Sequence, residues 1–124
     1  MQVISTSQAP AAVGPYSQAI AEKGFIFLSG QIPLVPETGL LISDKIQDQT
    51  EQVMKNISAI CSAAGASLTN IVKCTIFLTD MNHFSTVNEI YAQYFANHKP
   101  ARSTIQVAGL PRGALIEIEA ILSV

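Results

Sequence analysis

Two stretches of the chain repeat their apolar residues at helical spacing, and most of the remaining patterned sequence alternates. From Asp44 to Ala64, the residues Ile46, Thr50, Val53, Ile57, Ile60, Cys61 and Ala64 recur at i, i+3, i+4 and i+7, which draws one apolar stripe on a helix. Ser43 stands where an N-cap hydroxyl is expected and Gly65 where a C′ glycine is expected. A second helix is predicted from Met81 to Asn97, capped by Asp80, with Phe84, Val87, Ile90, Tyr91, Tyr94 and Phe95 on its buried face.

The strands follow a period of two. Ser17 to Ala21 and Phe25 to Ser29 flank Glu22-Lys23-Gly24, which reads as a hairpin. Ile71 to Thr79 is a third run, with Val72, Cys74, Ile76 and Leu78 on one face and Ile71, Lys73, Thr75 and Phe77 on the other. Ser103 to Ala108 and Ala114 to Leu122 flank Gly109-Leu110-Pro111-Arg112-Gly113, which predicts a second hairpin. Pro33 to Ser43 is a loop, and a short leading strand falls near Val3.

The order is therefore β-β-α-β-α-β-β, an α+β domain of two layers with both helices on one face of the sheet. Its length suits a single domain over residues 1–124. Two helices cannot cover both faces, and Phe25, Phe27, Ile71 and Phe77 point away from the helix side. That second face calls for another subunit packed sheet against sheet.

Composition sharpens the same expectation. The chain is 48% hydrophobic and only 13% charged, about half the roughly 25% charged share of a typical soluble domain. A surface so poor in charge points to burial against other copies. No apolar run approaches the ~20 residues of a membrane span, and the N-terminus lacks the basic and apolar regions of a signal peptide. A soluble, cytoplasmic protein is expected.

Net charge is −2 and the cations are scattered, so nucleic-acid binding has no electrostatic support. Cys61 and Cys74 sit in apolar patterns and read as free, buried thiols rather than a disulfide framework. His83 and His98 lack partners at metal-ligand spacing, so no metal is expected.

The unusual polar residues fall near the C-terminus. In a hairpin whose opposed residue numbers sum to about 223, Thr104 faces Glu119 and Gln106 faces Glu117. Arg102, Thr104 and Gln106 would then share one polar stripe with Glu117 and Glu119. "GPYSQA" (Gly14 to Ala19) and "SGQIP" (Ser29 to Pro33) each set a glycine beside hydroxyl or amide residues, where backbone can approach a ligand closely. Pro100 stiffens the approach to Arg102. A solvated stripe and the polar lining of a site both fit these features.

"APAAVGPYSQA", "LSGQIP", "NEIYAQYF" and "KPARSTIQVAGLP…IEIEA" resemble, in order and with matching spacing, the RidA (YjgF-like) family of reactive-intermediate deaminases. The resemblance covers essentially the whole chain. It implies a chorismate-mutase-like fold and a homotrimer with sites in the clefts between subunits. The implied reaction is hydrolysis of 2-imino acids such as 2-iminobutanoate and 2-iminopropanoate to 2-keto acids and ammonia. No cofactor is implied, and the physiological benefit is protection of pyridoxal-phosphate enzymes.

Residue by residue, the resemblance implies that Arg102 holds the substrate carboxylate and that Glu117 handles the attacking water, with Tyr16, Ser29, Gly30, Asn88 and Thr104 lining the substrate. Several family members carry Cys where this chain has Thr104, so a thiol-dependent reactivity is not expected here. The connection from Phe95 to Pro100 is also shorter than in some members.

Chemistry agrees with these roles. A guanidinium offers a planar fork for a carboxylate that Lys cannot reproduce. An iminium carbon is already electrophilic, so a positioned water and a carboxylate suffice. Two other classes stay open from the sequence: a keto-acid sensor or binding module using the same cleft, and the ribonuclease or translation-inhibitor activity attributed to some relatives.

Overall fold

The computed structural model describes residues 1–124. Its strands are β1 (Gln2–Ile4), β2 (Ala19–Glu22), β3 (Phe25–Gln31), β4 (Ile71–Leu78), β5 (Ala101–Gln106) and β6 (Ile116–Ser123), with helices α1 (Ile46–Ala63) after β3 and α2 (Phe84–Phe95) after β4. They form one six-stranded sheet in the order β1-β2-β3-β6-β4-β5. Only β4 and β5 run parallel; every other neighbouring pair is antiparallel. The predicted α+β architecture and its leading strand are both present.

The turns explain the element ends. Lys23 and Gly24 join β2 to β3 with φ of 49° and 81°, the two left-handed positions that match the right-handed twist of a tight hairpin. Helix α1 starts at Ile46 rather than Asp44, because Ser43 is used in a turn ahead of it. The Ser43 hydroxyl accepts from the Lys45 backbone N–H (3.0 Å) and donates to the Asp48 carboxylate (2.8 Å), so it is not the N-cap. The C-terminus behaves as expected, with the Ala66 N–H reaching Cys61 O and the Gly65 N–H reaching Ser62 O, the paired bonds of a Schellman ending. The predicted second helix divides into a 3₁₀ turn over Met81–His83, where Asp80 accepts from the Asn82 N–H, and α2 proper. It stops at Phe95, with Ala96 at a φ of 54°.

Two sequence expectations fail in the sheet. Strands β5 and β6 do not pair; β4 lies between them, so the hairpin and its sum of 223 are wrong. Helix α2 carries the chain back to the start of the sheet, and β5 therefore enters parallel to β4. The connection from 107 to 115 crosses the end of β4 instead of closing a two- to five-residue hairpin loop. The second failure is local. Ile71 pairs with Leu122 but Lys73 pairs with Ile121, which leaves Val72 as a bulge residue. Ile71 is thereby fully buried and Val72 exposed, the reverse of strict alternation.

The core lies between the helices and one sheet face. Val53, Met54, Ile57, Ile60 and Cys61 from α1 meet Ile76, Leu78, Ile116, Ile118 and Leu122 from the sheet, all essentially inaccessible to water. Each such aliphatic contributes about 1.5–3 kcal/mol by burial. The opposite face is bare. Phe25, Phe27 and Ile105 remain 44–46% exposed there, and the two phenyl rings lie tilted to each other at 6.3 Å between centroids. No helix of the chain is long and apolar enough to cross a membrane.

Candidate active site

The residues singled out in the sequence gather into two groups. The first lies where β5 meets α2. Arg102 aligns with Cys74 of β4 and, across it, Ala120 of β6, both buried beneath the helices. Its guanidinium therefore points to the helix side. Nη1 donates to Asn88 Oδ1 at 2.7 Å. The Tyr91 and Phe84 rings stand 5.0 and 5.6 Å from the guanidinium carbon, each worth about 0.5–1 kcal/mol as a cation–π contact. One edge of the fork is thus tethered and its flat face is supported, while no carboxylate of the chain pairs with it. Thr104, half-buried, is two residues along the same strand face, opposite Ile76 and then Ile118.

The second group lies on the bare sheet face. Glu117 aligns with Phe77 and then Ile105, between the fully buried Ile116 and Ile118. Between Leu28 and Gln31 the β3–β6 register shifts, so Ser29 and Gly30 bulge against Glu119. The bulge is pinned by Ser29 Oγ donating to Ser17 O (2.5 Å) and by Gln31 Nε2 donating to Ser29 O (3.1 Å). It brings Gly30 against Glu117: a Cβ there would stand 2.7 Å from Oε2. Only glycine leaves the carboxylate its place. Burial first, and then the Glu119 charge, push the Glu117 carboxyl above its ordinary value of 4.5. No hydrogen bond or ion pair of the chain engages it.

Tyr16, 54% exposed, borders a recess of about 50 Å³ beside Gly30 and Ile32.

Sequence reasoning placed Arg102 and Glu117 on one polar stripe; the structure places them on opposite faces. Their strands are separated by β4, and the two residues lie three register positions apart. With strands ~4.8 Å apart and residues ~3.3 Å apart, their backbones are about 14 Å from each other before the facing is counted. Within one chain they cannot act on the same molecule. The stripe itself therefore does not exist: Thr104 and Gln106 go with Arg102, and Glu119 goes with Glu117.

Three contributors were missed. Gln18 is buried and ties down the loop leading to Tyr16, accepting from the Thr6 N–H (2.7 Å) and donating to Thr6 O (3.1 Å) and Pro10 O (2.8 Å). A buried amide inside an apolar alternation was the available signal. Phe84 and Tyr91 were read only as core, yet they form the seat of Arg102, and no pattern along the chain distinguishes the two roles. The Tyr91 hydroxyl lies beside the Cys74 thiol in a loose sulfur contact rather than a well-formed hydrogen bond. Both thiols are unreactive by environment: burial pushes Cys61 up to about 12 and raises Cys74 as well. No three His, Cys, Asp and Glu side chains converge as a metal site would require.

Residues 6–124 match the family model described as Endoribonuclease L-PSP. The chain is 57% identical over 120 residues to Reactive Intermediate Deaminase A, chloroplastic, of Arabidopsis thaliana, covering 97% of this chain and 64% of that protein. It is 51% identical to the 2-iminobutanoate/2-iminopropanoate deaminase of Homo sapiens, over 97% of this chain and 88% of the human one. The crystal structure of RidA from the Antarctic bacterium Psychrobacter sp. superposes with a TM-score of 0.97 at 45% identity, covering all of both chains.

Proposed function

Because this chain belongs to the Endoribonuclease L-PSP family, the family of RidA and YjgF, we propose that it hydrolyses 2-iminobutanoate and 2-iminopropanoate to the 2-keto acids and ammonia. One observation carries the mechanism: the free guanidinium fork of Arg102 and the unpartnered carboxylate of Glu117 face opposite sides of one sheet. A working site takes Arg102 from one copy and Glu117 from the next. The bare sheet face supplies the contact, and a homotrimer closes it with identical interfaces.

In that cleft Arg102 holds the substrate carboxylate through its untethered edge, with Asn88, Phe84 and Tyr91 fixing its plane. Ser29, Gly30 and Tyr16 of the facing copy border the reacting carbon, and Thr104 lines the Arg102 side. Glu117 takes a proton from a water as its oxygen adds to C2 of the protonated imine, which gives a neutral carbinolamine. It returns that proton to the carbinolamine nitrogen, accepts the hydroxyl proton as the C–N bond breaks, and ammonia leaves as the carbonyl forms; the last proton passes from Glu117 to solvent. A carboxyl held above its usual range suits these transfers. The imine carbon is electrophile enough that these residues need no cofactor. Cytoplasmic imines released by pyridoxal-phosphate enzymes are the matching substrates, and their removal protects such enzymes.

The test generates imines in place with an amino-acid oxidase and follows their decay with and without the protein. Acceleration at catalytic protein concentration is expected; a rate equal to the buffer control rejects the reading. Light scattering at micromolar protein should give a trimer, and a stable folded monomer would remove the composite site. The seven Lys and Arg residues are scattered along a chain of net charge −2, which gives ribonuclease activity no electrostatic support.

A further inference from the structure

Arg102 is not the only cation at its end of the molecule. A cavity of about 420 Å³ runs beside it, bounded by one side of α2 and by the connection into β5. Asn88, Tyr91, Ala92 and Phe95 form the helix side, and Arg102 and Lys99 stand among the residues of the other. From Asn88 to Phe95 the helix advances about 10 Å, so the chamber is longer than a single carboxylate requires. Arg102 sits at the Asn88 end, to which it is bonded. Lys99 follows the helix C-terminus, at the other end.

The charge in this chamber has one sign. None of its lining residues is acidic, although the whole chain is net negative. The one ion pair in the chain joins the N-terminus to Glu22, far along the sequence from here, and no hydrogen bond engages Lys99. His98 also borders the cavity, but its Nε2 is already bonded to Ile71 O at 2.6 Å. That bond ties the connection to the start of β4, and Pro100 stiffens it on the other side. Lys99 is thus a free cation on a tethered segment, with apolar Ala92 and Phe95 between it and the carboxylate clamp.

We infer that this chamber is a second carboxylate subsite, in which Lys99 receives the distal carboxylate of a dicarboxylic 2-imino acid whose first carboxylate is held by Arg102. The inference rests on the Arg102 clamp argued above. A four- or five-carbon dicarboxylate lays its methylenes along Ala92 and Phe95 and brings its far end within reach of a lysine arm. An ammonium suits that task, since the far carboxylate varies in position with chain length and a point charge on a flexible stem can follow it. Monocarboxylic imines use the Arg102 end alone.

The experiment compares wild type, Lys99→Met, Lys99→Glu and Lys99→Arg in two measurements. The first is calorimetric binding of 2-oxobutanoate and 2-oxoglutarate, the keto products of a mono- and a dicarboxylic imine. The second is decay of the imines formed from the corresponding amino acids. Lys99→Met should cut the ratio of dicarboxylate to monocarboxylate affinity, and of kcat/KM, about tenfold. Lys99→Glu should cut it further, and Lys99→Arg should retain most of it. Raising salt should weaken 2-oxoglutarate more than 2-oxobutanoate. An unchanged ratio in Lys99→Met and Lys99→Glu overturns the subsite. Keto-acid binding without any imine turnover in wild type would reject the hydrolase reading while still testing Lys99. Binding of neither keto acid would remove the clamp and this proposal with it.

Discussion

The two halves of the candidate site are prepared in different ways. Around Arg102 the single chain supplies nearly everything: an amide tether at 2.7 Å, two ring faces, and a strand that fixes the backbone. Around Glu117 it supplies room and little else. Gly30 withholds a side chain, the bulge at Ser29 turns the strand, and burial raises the carboxyl with no partner to offset it. A binding group is best held rigid before its ligand arrives, since ordering it afterwards costs affinity. An acid–base group works by staying unsatisfied near its working pH. The contrast is what a clamp and a proton carrier should look like.

The sharpest way to break this comparison is to place the two defects on different chains. Arg102→Ala and Glu117→Gln proteins, each nearly inactive alone, should regain turnover when unfolded and refolded together. If each cleft takes one residue from each neighbour, random mixing in a ring restores roughly a quarter of the sites. A site built within one chain would stay dead in every mixture. Recovery below the background of either parent would overturn the composite cleft.

Glu117→Gln alone should lower kcat by ~10²–10⁴, the usual range for a lost general base, while 2-keto acids still bind. The same change has a stability consequence of opposite sign. A carboxyl whose folded pKa lies above 4.5 favours the folded state when protonated, and that advantage is lost as pH rises through the raised value. The Gln variant should therefore melt higher than wild type at neutral pH, with the difference shrinking toward pH 4. Thermal denaturation across that range checks it. Wild-type activity should in turn fall as pH drops through the same raised pKa.

Arg102→Lys keeps the charge but loses the fork, and it should raise KM by about tenfold to a hundredfold, as lost charged hydrogen bonds of ~1.5–3 kcal/mol imply. Near wild-type KM would show that Arg102 acts as a simple charge. That would leave Asn88, Phe84 and Tyr91 with nothing to orient.

Why one half was easier to find follows from what each depends on. Element order, both helices and the uncovered face were readable because period and length set them locally. The seat of Arg102 was half-readable: Asn88 and Arg102 were picked from motifs, but Phe84 and Tyr91 look the same in the sequence whether they fill a core or support a guanidinium. The facing of Arg102 was misread because it depends on strand order, whereas Glu117 does lie on the face opposite the buried Ile116 and Ile118, as its own alternation requires. The alternation in β5 and β6 is the same whether they pair directly or through β4, and only the crossover of α2 decides. The bulge at Val72 was invisible for a related reason, since Ile71 and Val72 are equally apolar and the choice is made by the Leu122 register.

A smaller effect is expected at Gly30. Its φ is not in the left-handed region, so Ala fits the backbone there, but its Cβ would push the Glu117 carboxylate aside from a 2.7 Å approach. Displacements of ~1 Å at a reacting group cost up to about 10²-fold. A flexible carboxylate recovers part of that, so roughly tenfold in kcat is expected for Gly30→Ala, with little change in melting temperature. In the Glu117→Gln background the same substitution should do almost nothing. Equal losses in both backgrounds would mean that Gly30 serves ligand access rather than the carboxylate.

The smallest effect belongs to Thr104. It shares a strand face with Arg102, is half-buried opposite Ile76, and makes no side-chain hydrogen bond within the chain. A backbone role leaves its hydroxyl dispensable, and Val matches Thr in shape while keeping the β-branched preference for a strand. Thr104→Val should thus stay within about threefold of wild type in kcat/KM, under 1 kcal/mol in barrier terms. The comparison with Arg102→Lys is informative because both changes sit on one strand, two residues apart. If Thr104→Val instead loses more than tenfold with the fold intact, the hydroxyl contacts the water or the substrate. The Arg102 half would then take part in the proton chemistry here assigned to Glu117, and the division between clamp and carrier would fail at that residue.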